Sequence, residues 1–345
     1  MEKFFKLKEN GTTVKTEVAA GITTFMAMAY ILMVNAGMFA ELGVVSYNAI
    51  YIATAISAVI GTLLIGLLSN LPLAQASGMG LNAFFVYTVC MGMGLTYSNA
   101  LVLVLLDGIV FILLTVTGLR KLIFDAIPKC VKNAIPVGIG LFIAFIGLQN
   151  AKLVIPSTST AVSLASFNLL SGTATWATVM PLLITVFTVI LIAVLAIKKV
   201  RGAVLWGIIG GTVLYYVLGF TVPDFYKGFA ESLSFNPLAA FSDFGTQAFG
   251  KVFTEGFDFS AFLASHSTAN LVILIITTAL AFCMVDMFDT LGTLFGACSQ
   301  GNMLDEDGNV PRMNRAMLAD AIATTTGAIC GTSTVTTFVE SSAGI

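Results

Sequence analysis

Residues 331–345 read GTSTVTTFVESSAGI. The first half is β-branched and polar, which suits an extended strand. The second half carries one carboxylate, Glu340, in ESSAG, which reads as the start of a half-helix. The segment follows an apolar run at 314–330 and is too polar to face lipid. Irregular backbone at membrane depth is tolerated only where it is buried in protein or lines a water-filled cavity. The stretch therefore predicts a broken membrane crossing.

The composition of the whole chain supports that reading. Hydrophobic residues make up 57% of the 345 residues and charged residues 10%, with a mean hydropathy of +0.96. A soluble domain is about a quarter charged, so lipid is the expected solvent. A net charge of −2 leaves no electrostatic footprint for nucleic acid. The N-terminal MEKFFKLKENGTTVKTE has no apolar core or small-residue cleavage site and reads as a cytoplasmic lead over 1–17. Cys90, Cys130, Cys283, Cys298 and Cys330 form no CxxC pair and read as small packing residues. With one histidine, His266, at the outer edge of a span, no metal site is expected.

Roughly 20 helical residues cross a bilayer core. On that measure the spans lie at 18–36, 47–68, 72–93, 99–118, 133–149, 178–197, 202–220, 268–297 and 314–330, with a tenth beginning at 331. A Phe-rich amphipathic connection fills 221–266. With the N-terminus inside, the inner loops hold Lys3, Lys6, Lys8, Lys15, Arg120, Lys121, Lys129, Lys132, Lys198, Lys199, Arg201, Arg312 and Arg315. The outer side holds Lys152, Lys227 and Lys251, which accounts for all 16 basic residues. Basic residues concentrate on the cytoplasmic side, so the N-terminus is expected there. Span 1 then starts inside and span 8 outside, so a repeat of seven spans would be inverted.

A second irregular crossing mirrors the first. LPLAQASGMGLNAFFVYTVCMGMG (71–94) places Pro72, Gln75, Ser77, Gly78, Gly80 and Asn82 ahead of its apolar run. It reads as an extended stretch followed by a half-helix from near Asn82. Corresponding broken segments in two halves point to a transporter binding site. Two helix N-termini facing each other would favour an acceptor-rich or anionic ligand, and short strands would offer N–H and C=O to a planar one.

Five acids fall inside spans: Asp107, Asp286, Asp289, Asp320 and Glu340. Such residues need a partner, a cavity or a proton, because a charge at the bilayer centre costs at least about 2.5 kcal/mol. Apart from Arg315, at the inner edge of 314–330, no Lys or Arg lies inside a span to neutralise them. Low dielectric favours the protonated form of a carboxyl group, so these acids are candidates for exchanging a proton. Asp286 and Asp289, three apart in VDMFDTLGT, share a helical face. With Glu340 they are the expected substrate and proton-coupling acids. Asp320 and Asp107 are expected to be structural, Asp320 by bonding the backbone of a broken helix.

Four ordered motifs carry a family likeness: TTFMAMAYILMVN (23–35), GMGLNAFFVY (78–87), DMFDTLGTLFG (286–296) and TSTVTTFVESSAGI (332–345). Together they resemble the guanine/hypoxanthine/adenine permease branch of the nucleobase–cation symporter (xanthine/uracil permease) superfamily. The resemblance implies an all-α polytopic membrane protein of fourteen spans in two inverted seven-span repeats. Discontinuous spans 3 and 10 carry short antiparallel strands that meet at the centre. It implies a core domain at 18–132 and 267–345 and a gate domain at 133–220, with 221–266 as an extracytoplasmic connection. It implies proton-coupled purine uptake across the cytoplasmic membrane. Substrate would be held by Glu340, Asp286, Asp289 and Asn82, with Gly80 and Thr337 as further contacts and Phe84 and Phe85 as stacking faces. The proton is the coupling ion, and no other cofactor is expected. Expected partners are a purine base, the bilayer and a second copy of the chain; nucleic acid is not. Ser77 stands where the family pattern often has Pro. Members run past residue 345, so about ten of fourteen spans are expected here, and a protein ending at Ile345 would not be expected to complete a transport cycle.

Other readings compete. Uracil or xanthine transport on the same fold is not excluded by one sequence. An anion carrier would want a cationic residue near the half-helices, and none is present. An intramembrane aspartyl protease draws its dyad from two helices, whereas Asp286 and Asp289 lie on one and lack a GxGD context.

Overall fold

The computed structural model describes residues 5, 7, 11–118, 128–170, 172, 174–198, 200, 203–223, 225, 236–306 and 308–344. Of the basic positions that set the orientation, Lys3, Lys6, Lys8, Arg120, Lys121, Lys199, Arg201 and Lys227 lie outside the described residues, as do 226–235 of the long connection and Ile345.

The described chain is mostly helical. It opens with α1 (Val14–Met28), α2 (Tyr30–Ala40) and α3 (Tyr47–Ser69). Strand β1 (Gln75–Ser77) leads into α4 (Met79–Ala83), which continues as a π-helix over Phe84–Gly92. Then come α5 (Tyr97–Val116), α6 (Lys129–Asn150), a hairpin of β2 (Val154–Ser157) and β3 (Ala161–Leu164), α7 (Trp176–Ile197) and α8 (Ala203–Gly219). The short α9 (Pro237–Asp243), α10 (Lys251–Thr254) and α11 (Ser260–Leu263) precede α12 (Thr268–Gln300) and α13 (Met313–Cys330). Strand β4 (Val335–Thr337) and a 3₁₀ turn over Val339–Ala343 close the described chain.

Among the described residues, five stretches are long and apolar enough to cross a membrane: Val14–Ala40, Tyr47–Ser69, Tyr97–Val116, Trp176–Ile197 and Thr268–Gln300. The chain is a multi-pass membrane protein. The expected ninth span, α13, is less apolar because it is enclosed by protein: Ala316, Ala319, Asp320, Ala323, Thr324 and Gly327 are all buried, and α13 packs on α3 and α5. A helix that meets other helices needs small and polar residues more than lipophilic ones.

Contacts divide the chain into two units, one of Met1–Ile139 with Pro237–Ile345, the other Gly140–Asn236. In the second, α7 and α8 pack closely because Gly207 and Gly211, one turn apart, face Ile192 and Thr188. The β2–β3 hairpin was not foreseen from the sequence. In it Val154 pairs with Leu164 and Ser157 with Ala161, and β3 is exposed throughout.

In the first unit the later part of the connection packs on helix ends. Gln247 accepts from the Ser46 backbone N–H at 2.8 Å, and Asn99 donates to the carbonyls of Gly256 (2.8 Å) and Asp258 (2.9 Å). The five cysteines are free; Cys90, Cys283, Cys298 and Cys330 are buried, but Cys130 is exposed and is not a packing residue. His266 is exposed at the start of α12, with its ring stacked on Phe262 at 4.3 Å.

Candidate functional site

The two irregular crossings meet as an antiparallel strand pair. Gln75 lies opposite Thr337, Ala76 opposite Thr336 and Ser77 opposite Val335. The ladder extends through Gly78 N–H to the Thr334 carbonyl and Phe338 N–H to the Ala74 carbonyl, both at 3.0 Å. Every residue of β1 and β4 is buried, so each backbone polar group needs a partner. Side chains supply those the ladder cannot reach: Thr62 Oγ1 accepts from Gln75 N–H at 3.0 Å and Ser341 Oγ from Ala74 N–H at 2.9 Å.

The helix before each strand ends in a left-handed residue, Asn70 (φ 52°) after α3 and Gly331 (φ 89°) after α13. A side chain at Gly331 would be strained by φ and would also meet the Ala248 carbonyl and the Tyr97 hydroxyl. That hydroxyl donates to the Gly331 carbonyl at 2.5 Å. Gly78 is needed for closeness: a Cβ there would stand 2.8 Å from Thr336 Cγ2.

Asp320 pins the pair from α13. Its carboxylate accepts from Gln75 Nε2 at 2.9 Å, Thr290 Oγ1 at 2.6 Å and Thr337 Oγ1 at 3.5 Å. Thr290 Oγ1 also lies 3.0 Å from Thr336 Oγ1. The sequence anticipated backbone partners for Asp320; these partners are side chains of both strands and of α12. Thr337, expected at the substrate, is 1% exposed and bonds Asp320 and Gln75. Its hydroxyl is engaged in holding the strands together.

A second polar cluster ties in α2. Asn35 Nδ2 donates to Thr54 Oγ1 at 2.7 Å and Thr332 Oγ1 at 2.9 Å, and Thr332 Oγ1 lies 2.7 Å from Ser77 Oγ. Gln75, Thr290, Asn35 and Thr332 went unremarked as partners in the sequence. Their only signal there was a polar residue inside an apolar stretch.

The acids of α12 diverge. Asp286 is fully buried, with Oδ2 accepting from Thr324 Oγ1 of α13 at 3.3 Å. Asp289 is half-buried on the Gly78 side, where a Cβ added to Gly78 would stand 3.6 Å from its Oδ2. Three residues differ by about 60° around a helix, enough to give the pair different neighbours. The helix that carries Asp289 packs against the 3₁₀ turn that carries Glu340. Glu340, also half-buried, accepts a hydrogen bond from the Tyr30 hydroxyl at 2.8 Å through Oε1. Asp107 is fully buried in α5.

Helix α4 begins at Met79, three residues before the expected start, because Gly78, still extended, serves as its N-cap. After β4 the chain forms a five-residue 3₁₀ turn where an α-helical start was expected. Asn82 is buried, its Nδ2 donating to the Ser77 carbonyl at 3.4 Å, while its Oδ1 has no partner among the described residues. Gly80 and Phe84 are half-buried, and Phe84 packs edge-on against Phe282 at 4.9 Å. Phe85 cannot present a stacking face: it is fully buried against Phe39 at 4.9 Å. Glu340, Asp289, Gly80 and Phe84 thus keep partial exposure, while Asp286, Asn82 and Thr337 do not. A separate cavity of about 660 Å³, lined by Glu41, Tyr97, Lys251, Glu255 and Asp258 among others, touches none of the expected site residues.

Carboxylates set on and beside broken crossings are chemistry for gripping and releasing a polar solute. Comparison with known proteins agrees. The xanthine/uracil permease model, described as Permease family, matches residues 15–345. Over 343 residues the chain is 37% identical to the guanine/hypoxanthine permease PbuO of Bacillus subtilis, covering 99% of this chain and 72% of that protein. It is 36% identical to PbuG, a guanine/hypoxanthine permease of the same organism (100% and 73%), and 34% identical to the adenine permease AdeP of Escherichia coli (100% and 69%). The chain belongs to the Permease family, and it is a transporter and not an enzyme.

Proposed function

We propose that the protein takes up purine nucleobases, hypoxanthine or guanine and also adenine, together with protons across the cytoplasmic membrane. The observation that carries this reading is two half-buried acids, Asp289 beside Gly78 at the N-terminus of α4 and Glu340 on the turn that follows β4 and packs on α12. A purine's ring N–H and exocyclic amine suit carboxylate acceptors. The α4 N-terminus at Met79 and Gly80 offers unpaired backbone N–H, and Phe84 offers an apolar face. Asn82 and Asp286, fully buried, complete the polar set. The names of the relatives, two guanine/hypoxanthine permeases and one adenine permease, support the substrate class.

In this reading Asp286, Asp289 and Glu340 share the coupling proton. The N-terminus is cytoplasmic, in keeping with 13 inner against 3 outer basic residues in the sequence. The protein follows the fourteen-span inverted plan and works as a homodimer. The matched antiparallel strands, each after a left-handed helix cap, are what an inverted repeat would produce. The core is spans 1–4 with spans 8–10, and the gate comprises 133–220; the division of contacts at Ile139 and Pro237 supports a boundary of this kind.

The test is uptake of labelled hypoxanthine in a host lacking purine transport, with competition by guanine, adenine, xanthine and uracil. Competition by guanine or adenine, and none by uracil or xanthine, is expected. Efficient competition by uracil or xanthine alone would favour the other branch of the fold. Glu340→Gln is expected to abolish accumulation, and wild-type uptake by that variant would remove Glu340 from the site.

A further inference from the structure

Residues 338–344 are docked on the first crossing at three points. Phe338 packs with Met28 and Ile31 in one buried apolar cluster. Gly344 lies so close to Thr24 and the Ala20 carbonyl that a Cβ there would collide with both. Between these anchors the Tyr30 hydroxyl donates to Glu340 Oε1 at 2.8 Å. The tyrosine is the first residue of α2, after the one-residue interruption at Ala29. The first crossing is thus the seat of the turn that carries Glu340.

The hydrogen bond has a specific consequence for a carboxylate in that place. The turn that carries Glu340 packs against α12, the helix of a second acid, Asp289, and the basic residues of the crossings, such as Lys15 and Arg315, stand at the crossings' ends. A short 3₁₀ turn leaves the glutamate side chain with several rotamers. One directional donor selects among them, and a charge-assisted donor is stronger than a neutral one. The bond occupies Oε1 and leaves Oε2 to accept from a ligand. We propose that Tyr30 is a positioning residue for purine binding: its hydroxyl holds Glu340 so that the second carboxylate oxygen faces the substrate's N–H donors. The inference rests on the reading of Glu340 as a substrate acid.

The test uses initial-rate uptake of labelled hypoxanthine by the permease in a transport-deficient host, normalised to the amount of folded protein in the membrane. Loss of a hydrogen bond to a charged group corresponds to a change of about 10-fold or more. Tyr30→Phe, which keeps the ring, is expected to raise KM about 10-fold and to leave the maximal rate within about twofold. In a Glu340→Asp background, where the shortened acid no longer reaches the hydroxyl, Tyr30→Phe is expected to add less than about twofold, as coupling between contacting residues requires. Wild-type KM in Tyr30→Phe overturns the proposal. So does a fall in maximal rate at unchanged KM, or full additivity with Glu340→Asp. If Glu340→Gln transports normally, the assignment of Glu340 itself fails. If Glu340→Gln is inactive while Tyr30→Phe is normal, only the role of Tyr30 fails.

Discussion

Glu340 is carried by a turn docked on the first crossing, and its Oε1 accepts from a residue 310 positions away, Tyr30. Asp320 shows the same division. It is an apolar-helix aspartate in the sequence and a three-way hydrogen-bond acceptor in the fold. Removing its carboxylate strands the Gln75 amide and the Thr290 hydroxyl, both fully buried, at about 1–3 kcal/mol for each unsatisfied group. Asp320→Ala is therefore expected to lower the thermal unfolding midpoint in detergent by several degrees and to lose uptake. Asp320→Asn keeps one acceptor oxygen and is expected to lose less. Equal midpoints for the two variants would show that acceptor number at this site is unimportant.

At the scale of elements, the strand pair is the least predictable and most consequential feature. Three residues from each crossing form it, and its ladder is too short to stand alone in water. It persists because α2, α3, α12 and α13 enclose it and donate side-chain partners. The close approach at Gly78 is part of that enclosure. Gly78→Ala puts a methyl 2.8 Å from Thr336 Cγ2 and is expected to cost about 1–3 kcal/mol through overpacking. The loss should appear in the thermal midpoint and in hypoxanthine KM, since the same backbone opens α4. A variant with an unchanged midpoint and KM would mean that the strands can part without consequence. The expected start of the helix at Asn82 failed for a related reason: Gly78 satisfies the ladder through Thr334 and caps the helix at once. Neither contact is visible in a local reading of 72–93.

For the whole molecule, every expected site residue falls in the unit formed by Met1–Ile139 with Pro237–Ile345. Proton coupling is a property at this scale, since it needs acids that the protein exposes to one side and then the other. A protonophore is expected to collapse hypoxanthine accumulation, and replacement of sodium by an inert cation is expected to leave it intact. Sodium-dependent uptake that resists the protonophore would reverse the coupling assignment.

Where the apolar helices lie, which two stretches are irregular and which acids interrupt apolar runs are legible in the residue pattern alone. Hydropathy, periodicity and the cost of buried charge are local properties that a single chain displays. What each acid meets emerges from the packing of distant segments. Asp320 and Thr337 turn to the strand pair, Asp286 to Thr324, Asp289 to the Gly78 side, and Glu340 to Tyr30. These partners lie as far as 310 positions apart in the chain. The 60° between Asp286 and Asp289 on their helix acquires meaning only once the neighbouring helices are in place.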